Sequence, residues 1–128
     1  TDAPERLPEG KIQAVDVITC AAPNLRERPG NAMNPGAGSP VRLSRQDIYS
    51  LHTQRARKIL SVAALHDIDV LILGAFGCGA FCNPPEVVAS AYRDVLPEFA
   101  RAFSTVEFAD YCTLQDDANY QAFHRTLG

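Results

Sequence analysis

A chain of 128 residues is the size of one domain, and 46% apolar with 21% charged residues is the balance of a globular protein with a real core. The formal charge of −3 gives no general field for holding duplex nucleic acid, and no apolar run approaches the ~18 residues a membrane span requires. The four cysteines, Cys20, Cys78, Cys82 and Cys112, are scattered and no signal-peptide pattern precedes them, so reduced thiols and a cytoplasmic location are expected. The chain opens on Thr1-Asp2-Ala3-Pro4 and its one methionine is Met33, which reads as a processed or truncated piece with sequence missing upstream.

Residues 1–11 are polar with two prolines and read as an arm. The β-branched cluster "IQAVDVIT", 12–19, predicts a strand. From Cys20 to Leu43 four prolines, three glycines and three arginines fall within 24 residues, predicting a long irregular loop of the kind that is either functional or disordered. Ser44 followed by Asp47 forms a helix-start box, and Ile48, Leu51, Ala56, Ile59 and Ala63 keep a 3.6-residue stripe, predicting a helix over 45–66. Asp67-Ile68-Asp69 turns the chain into "VLILGA", a continuous apolar run that predicts a strand covered on both faces of a parallel sheet.

After three glycines a second helix is expected, with Asn83 as cap, Pro84 at the first helical position and Glu86 as the capping-box acid. Its stripe, Val88, Ala91, Tyr92 and Val95, runs to Leu96, where Pro97 must break it. "TVEFA", 105–109, predicts a third strand and "NYQAFHRTL", 119–127, a closing helix. Strands alternating with helices imply right-handed parallel crossovers, hence α/β class with a mostly parallel sheet in a three-layer α/β/α arrangement. Three strands are few for such a sheet. One domain over 1–128, with an N-terminal part of the fold lacking and the sheet edge covered by a partner segment or a second copy, is the expectation.

The stretch "LILGAFGCGAFCNPPEVV", 71–88, carries the chemistry. In open α/β sheets ligands bind beyond the carboxyl ends of strands, where glycines let successive amides face one hollow and a following helix adds partial positive charge. That combination suits a phosphate or diphosphate, with Phe76 and Phe81 walling a sugar or base. A P-loop is excluded because no lysine follows the glycines, and a dinucleotide fingerprint because Cys82 stands where a third small residue belongs. A plain tight turn is the competing structural reading.

These residues resemble the diphosphate-binding loop of the microbial-type poly(ADP-ribose) glycohydrolases, a branch of the macrodomain fold. The likeness extends back through "VDVITCAAPN" and "RARKILSVAALHDIDVLILG" and forward to "VEFADY" and "NYQAF", leaving out the loop over 25–43. The resemblance implies that Gly77, Cys78, Gly79 and Ala80 present backbone amides to the diphosphate of ADP-ribose and that Phe81 packs on the distal ribose. Ala22, Pro23 and Asn24 would line the same cleft, Asp110 and Tyr111 would lie near adenine, and Cys82 stands where the family tends to have glycine. The implied ligand is ADP-ribose or an ADP-ribosylated protein, with neither cofactor nor metal.

The family's chemistry passes through an oxocarbenium-like state with a carboxylic acid protonating the leaving oxygen. That acid comes from a Gly-Gly-Gly segment followed by Gln-Glu-Glu, which this chain does not contain, so no catalytic residue is assigned. A near-copy, Gly36-Ala37-Gly38 and then Gln46-Asp47-Ile48, follows the Ala-Pro-Asn segment instead of preceding it and puts Ile48 where the acid should be. It reads as a loop and a helix-start box.

Two readings of function stand beside a glycohydrolase-type protein: a non-catalytic ADP-ribose or nucleotide-diphosphate binding module, and an unrelated thiol enzyme using Cys78 at a helix N-terminus. Cys78 and Cys82 lack a nearby histidine for zinc. His52, His66 and His124 read as surface or packing residues. Arg26, Arg28, Arg42, Arg45, Arg55 and Arg57 make a basic middle, either a solvated face or a contact for an anionic polymer or a partner chain.

Overall fold

A computed structural model describes residues 5–30, 38–113 and 116–128. The described elements, in order, are a 3-10 turn (Glu9–Lys11), α1 (Arg45–Leu65), β1 (Val70–Leu73), α2 (Pro85–Val95), a 3-10 turn (Leu96–Phe99), β2 (Thr105–Phe108) and α3 (Ala118–Leu127). β1 and β2 pair in parallel, with Val70 opposite Thr105 and Leu73 opposite Phe108, and α2 provides the crossover. The class is α/β.

α1 starts where the sequence places it. Ser44 Oγ accepts from the Asp47 amide at 3.1 Å, and Asp47 Oδ2 accepts from the Ser44 amide at 3.2 Å, so two donors that the helix cannot pair internally are satisfied. The Ser44 hydroxyl, donating to Asp47 Oδ2 at 2.6 Å, and then the Ser44 amide hold the exposed Asp47 carboxyl below its ordinary range. Ile48, His52, Ala56, Ile59, Leu60 and Ala63 form the buried face. α2 begins one residue later than predicted, with Pro85 inside the first turn and Pro84 as the cap. Neither Asn83 nor Glu86 caps it through a side chain; the Pro84 carbonyl instead accepts from the Val87 and Val88 amides. Pro97 ends the α-helical turns as expected, and the chain tightens into the 3-10 turn.

One apolar cluster joins these elements, the Glu9–Lys11 turn excepted. Leu60 and Ala63 of α1, Leu71 of β1, Val88, Tyr92 and Val95 of α2, and Phe123 of α3 are buried together. Phe108 of β2 lies edge-on to Tyr92 and tilted against Phe123, with centroids 5.4 Å apart in both pairs. At the rim Arg57 clasps Glu98 with two bonds of 2.8 and 2.7 Å, and Tyr49 donates to Asp94, tying α1 to the α2 end of the crossover.

Two expectations need correction. Residues 12–19 form no strand: they run unpaired, with Val15 and Val17 each 80% exposed. β-propensity is realised only through cross-strand packing, and among the described residues no strand lies beside them to supply it. β1 is also not covered on both faces. Leu71 is buried while Val70 and Ile72 are 52% and 64% exposed, because side chains alternate and the helices cover one face. Of the three layers, the described residues supply the sheet and one helical layer.

Between residues 13–18 and β1 runs a groove of about 950 Å³, floored by Ile59 of α1 and Tyr92 of α2 and ending at Gly74, Ala75 and Phe76. It opens the β1 edge to solvent and leads to the glycine loop. No helix among the described residues is long and apolar enough to cross a membrane.

Candidate functional site

The loop from Gly74 to Pro84 leaves the carboxyl end of β1 and feeds α2. Its shape is fixed at three points. The Cys78 amide donates to Ala75 O (2.9 Å), the Cys82 amide to Gly79 O (2.9 Å) and the Asn83 amide to Gly77 O (3.0 Å). The amides of Gly77, Gly79, Ala80 and Phe81 have no acceptor among the described residues. Of the four amides expected to face an anion, Gly77, Gly79 and Ala80 are thus unengaged, whereas the Cys78 amide closes a turn.

The glycines have separate reasons. Gly77 has φ +79°, and a Cβ there would stand 2.6 Å from Ala22 Cβ and 2.7 Å from Asn83 Nδ2, so both conformation and space demand glycine. Gly79 is different: a Cβ built on it meets nothing within 4 Å. The backbone there is exposed and borders open space, so its amide is open to approach from solvent. Cys82 has φ +56°, a left-handed conformation that glycine adopts freely, which explains physically why a glycine would fit that position.

Asn83, expected as a cap, is the latch of the site. It is buried, and its Nδ2 donates to Pro23 O (2.8 Å), Gly77 O (2.9 Å) and, at 3.3 Å, Phe81 O. Its Oδ1 faces His52 Nε2 at 2.8 Å. Because Nδ2 is the donor group, Oδ1 must accept, so Nε2 carries the proton. His52 is buried with its Nδ1 unpaired, and burial pushes its pKa below the ordinary histidine value of 6.5, keeping the ring neutral. Phe76 stands edge-on to that ring at 5.8 Å. The only sequence signal for the latch was an amide at the helix entrance, a pattern shared by every N-cap.

Residues 22–29 dock against the loop. Besides Pro23 O on Asn83, the Leu25 amide donates to Phe81 O (3.0 Å), so Pro23 and Asn24 stand beside the glycine stretch. The Asn24 side chain turns to its own segment, with Oδ1 accepting from Arg26 Nε (3.0 Å) and Nδ2 donating to Pro29 O (3.3 Å). The Arg26 guanidinium lies over the Phe81 ring, 5.6 Å from its centroid. Asp110 follows β2 by two residues; burial pushes its carboxyl above the ordinary range, partly offset by the Ala75 amide. Tyr111 is 81% exposed and makes no ring contact or side-chain hydrogen bond among the described residues.

The thiol reading of Cys78 is overturned. Its pKa is pushed up to about 12, chiefly by burial and then by the carboxylates of Asp110 and Glu86, so the nucleophilic thiolate is not formed at neutral pH. Cys78 also lies ahead of the first turn of α2, which begins only at Pro85, so it is not the helix-terminal thiol that reading requires. Gly36 and Ala37 of the near-copy signature lie outside the described residues, and Asp47 is committed to the α1 capping box.

The parallel β-loop-α unit leaves unengaged amides beyond the strand's carboxyl end, the position at which open α/β sheets take their ligands. No family model and no curated protein matches the chain. Among solved structures it is similar to the poly(ADP-ribose) glycohydrolase of Deinococcus radiodurans in complex with ADP-ribose, at TM-score 0.59 and 37% identity, covering 64% of this chain and 34% of that one. The apo form of that enzyme gives the same values. A further crystal of its ADP-ribose complex gives TM-score 0.58 and 38% identity with the same coverage. The chain matches a fragment of a poly(ADP-ribose) glycohydrolase-type macrodomain, spanning about a third of the length of these structures.

Proposed function

We propose that this chain binds ADP-ribose as part of a poly- or mono-ADP-ribose glycohydrolase-like protein that hydrolyses the ribose glycosidic linkage. The diphosphate sits on the amides of Gly77, Gly79 and Ala80, with Cys78 holding the turn between them; Phe81 packs on the distal ribose. Pro23 and Asn24 flank the cleft, and Tyr111 lies toward adenine. The observation that carries this reading is the open space at Gly79 beside amides without internal acceptors. ADP-ribose bound to the similar Deinococcus enzyme supports the choice of ligand.

ADP-ribosylated proteins are the corresponding macromolecular partners, and a partner segment or a second copy covers the open β1 edge. The four free cysteines support a cytoplasmic location. A non-catalytic ADP-ribose or nucleotide-diphosphate binding module is the second reading.

Calorimetry with ADP-ribose tests the binding, beside a hydrolysis assay on an ADP-ribosylated protein. Binding without turnover favours the module or an enzyme whose acid lies elsewhere. Gly79→Val should abolish binding while leaving the melting temperature near that of the parent, since its side chain enters the hollow and strikes no protein atom. Unchanged affinity in Gly79→Val would sink the amide site.

A further inference from the structure

Arg26 is a tethered cation beside the glycine loop, and among the described residues it has no counter-charge. Its Nε donates to Asn24 Oδ1 at 3.0 Å and its Nη2 to Pro29 O at 2.7 Å, while its own amide donates to the same Asn24 oxygen at 3.3 Å. Its guanidinium carbon stands 5.6 Å from the centroid of Phe81, the residue at the end of the unengaged amide run. Arg57 and Arg93 each pair with a carboxylate, Glu98 and Asp94; Arg26 pairs with none among the described residues. A guanidinium has five N–H donors. Two are occupied by these neutral acceptors, and among the described residues the other three, with the full charge, have no acceptor.

A guanidinium tethered on one edge and laid on an aromatic face has lost most of its rotamer freedom before any ligand arrives. Its free edge is pre-organised for the two-point recognition that phosphate oxygens favour over other ligand groups. We infer that Arg26 is the cationic arm of this anion site, contacting a phosphate of the ligand and restricting the site to phosphate-bearing nucleotides and nucleotide sugars. This rests on the diphosphate reading of the loop. Amides alone hold an anion by partial charges, whereas a fixed cation adds a net-charge preference that a neutral nucleoside cannot satisfy. An arginine that merely steadied Phe81 would serve charged and neutral ligands alike, and that difference makes the inference testable.

The experiment compares ADP-ribose with adenosine on the full chain, with Arg26→Gln, Arg26→Lys and Gly79→Val, by calorimetry at several salt concentrations. Arg26→Gln should weaken ADP-ribose roughly tenfold or more, the scale of a charged hydrogen bond. It should leave adenosine unchanged and flatten the salt dependence of ADP-ribose binding. Arg26→Lys keeps the charge without the fork and should fall between. An equal loss for both ligands would reduce Arg26 to a support for Phe81 and overturn the inference. An unchanged ADP-ribose affinity in Arg26→Gln, with binding abolished in Gly79→Val, would overturn it while leaving the amide site standing. If Gly79→Val binds like the parent, or the parent binds no ADP-ribose, the amide site and the inference fall together.

Discussion

Asn83 decides whether the glycine loop keeps its shape, because one buried amide ties together Pro23, Gly77 and Phe81 on one side and His52 on the other. Asn83→Ala removes every one of these side-chain bonds and leaves Pro23 O and the buried His52 Nε2 without a partner, so urea unfolding should report a loss of about 2–4 kcal/mol, and ADP-ribose affinity should fall with it. The glycines divide in the same manner. Gly77→Ala combines a left-handed φ with contacts at 2.6 and 2.7 Å, and should cost about 1–3 kcal/mol. Gly79→Ala, in a backbone position with no positive φ and no neighbour within 4 Å, should leave stability within about 0.5 kcal/mol of the parent. Equal destabilisation by the two alanines would mean that the loop does not border open space at Gly79. Cys82 reverses the logic: at φ +56° its Cβ is strained, so Cys82→Gly should gain up to about 1 kcal/mol.

α1 hydrogen-bonds to the loop through the His52 side chain, and this couples the helix to pH. Burial lowers the folded-state pKa of His52 below the 6.5 of the free side chain, so the unfolded chain binds the extra proton first. The stabilisation is therefore complete above about pH 6.5 and is lost as pH falls through the lowered folded value. The nearby Asp110 runs the other way. Its raised carboxyl favours the folded state below the ordinary aspartate value and loses that contribution as pH rises through the raised one. Thermal melts below pH 6.5 should show the parent losing stability faster than His52→Gln, whose amide still donates to Asn83 but does not titrate; parallel curves would exclude His52 as the sensor. The same helix shows what the sequence could convey. Ser44 and Asp47 advertise a box built from neighbours, and the stripe from Ile48 to Ala63 needs only the helical period, so both were legible. The His52–Asn83 bond joins residues 31 apart through a tertiary contact, and no local pattern encodes it. The glycine loop was legible as a tight connection from strand to helix because its composition is unusual. Which amide would be consumed internally was not, since the Cys78-to-Ala75 turn depends on backbone angles that several glycine spacings allow.

At the scale of the whole chain the decisive feature is that, among the described residues, the sheet has one helical layer and a β1 edge on which no strand pairs. Residues 12–19 have the composition of a strand and lie across a groove from β1, but neither backbone finds a partner strand there. Val15, Val17, Val70 and Ile72 remain exposed around it. An edge of this kind carries unpaired amides and carbonyls beside apolar side chains, which is the arrangement that draws another strand. Helix packing alone can hold the rest together, since the cluster of Leu60, Val88, Tyr92, Val95 and Phe123 is buried without help from 12–19. The chain by itself should consequently associate as its concentration rises, while its core melts as one unit. Val17→Lys together with Ile72→Lys places charge on both walls of the groove, at sites 80% and 64% exposed, where the folded monomer has little to lose. Sedimentation velocity should show the parent shifting to larger species with concentration and the double variant remaining monomeric at an unchanged melting temperature. If the variant associates as strongly as the parent, the attraction resides on another surface, and the groove is closed to strands by the segment that already lines it.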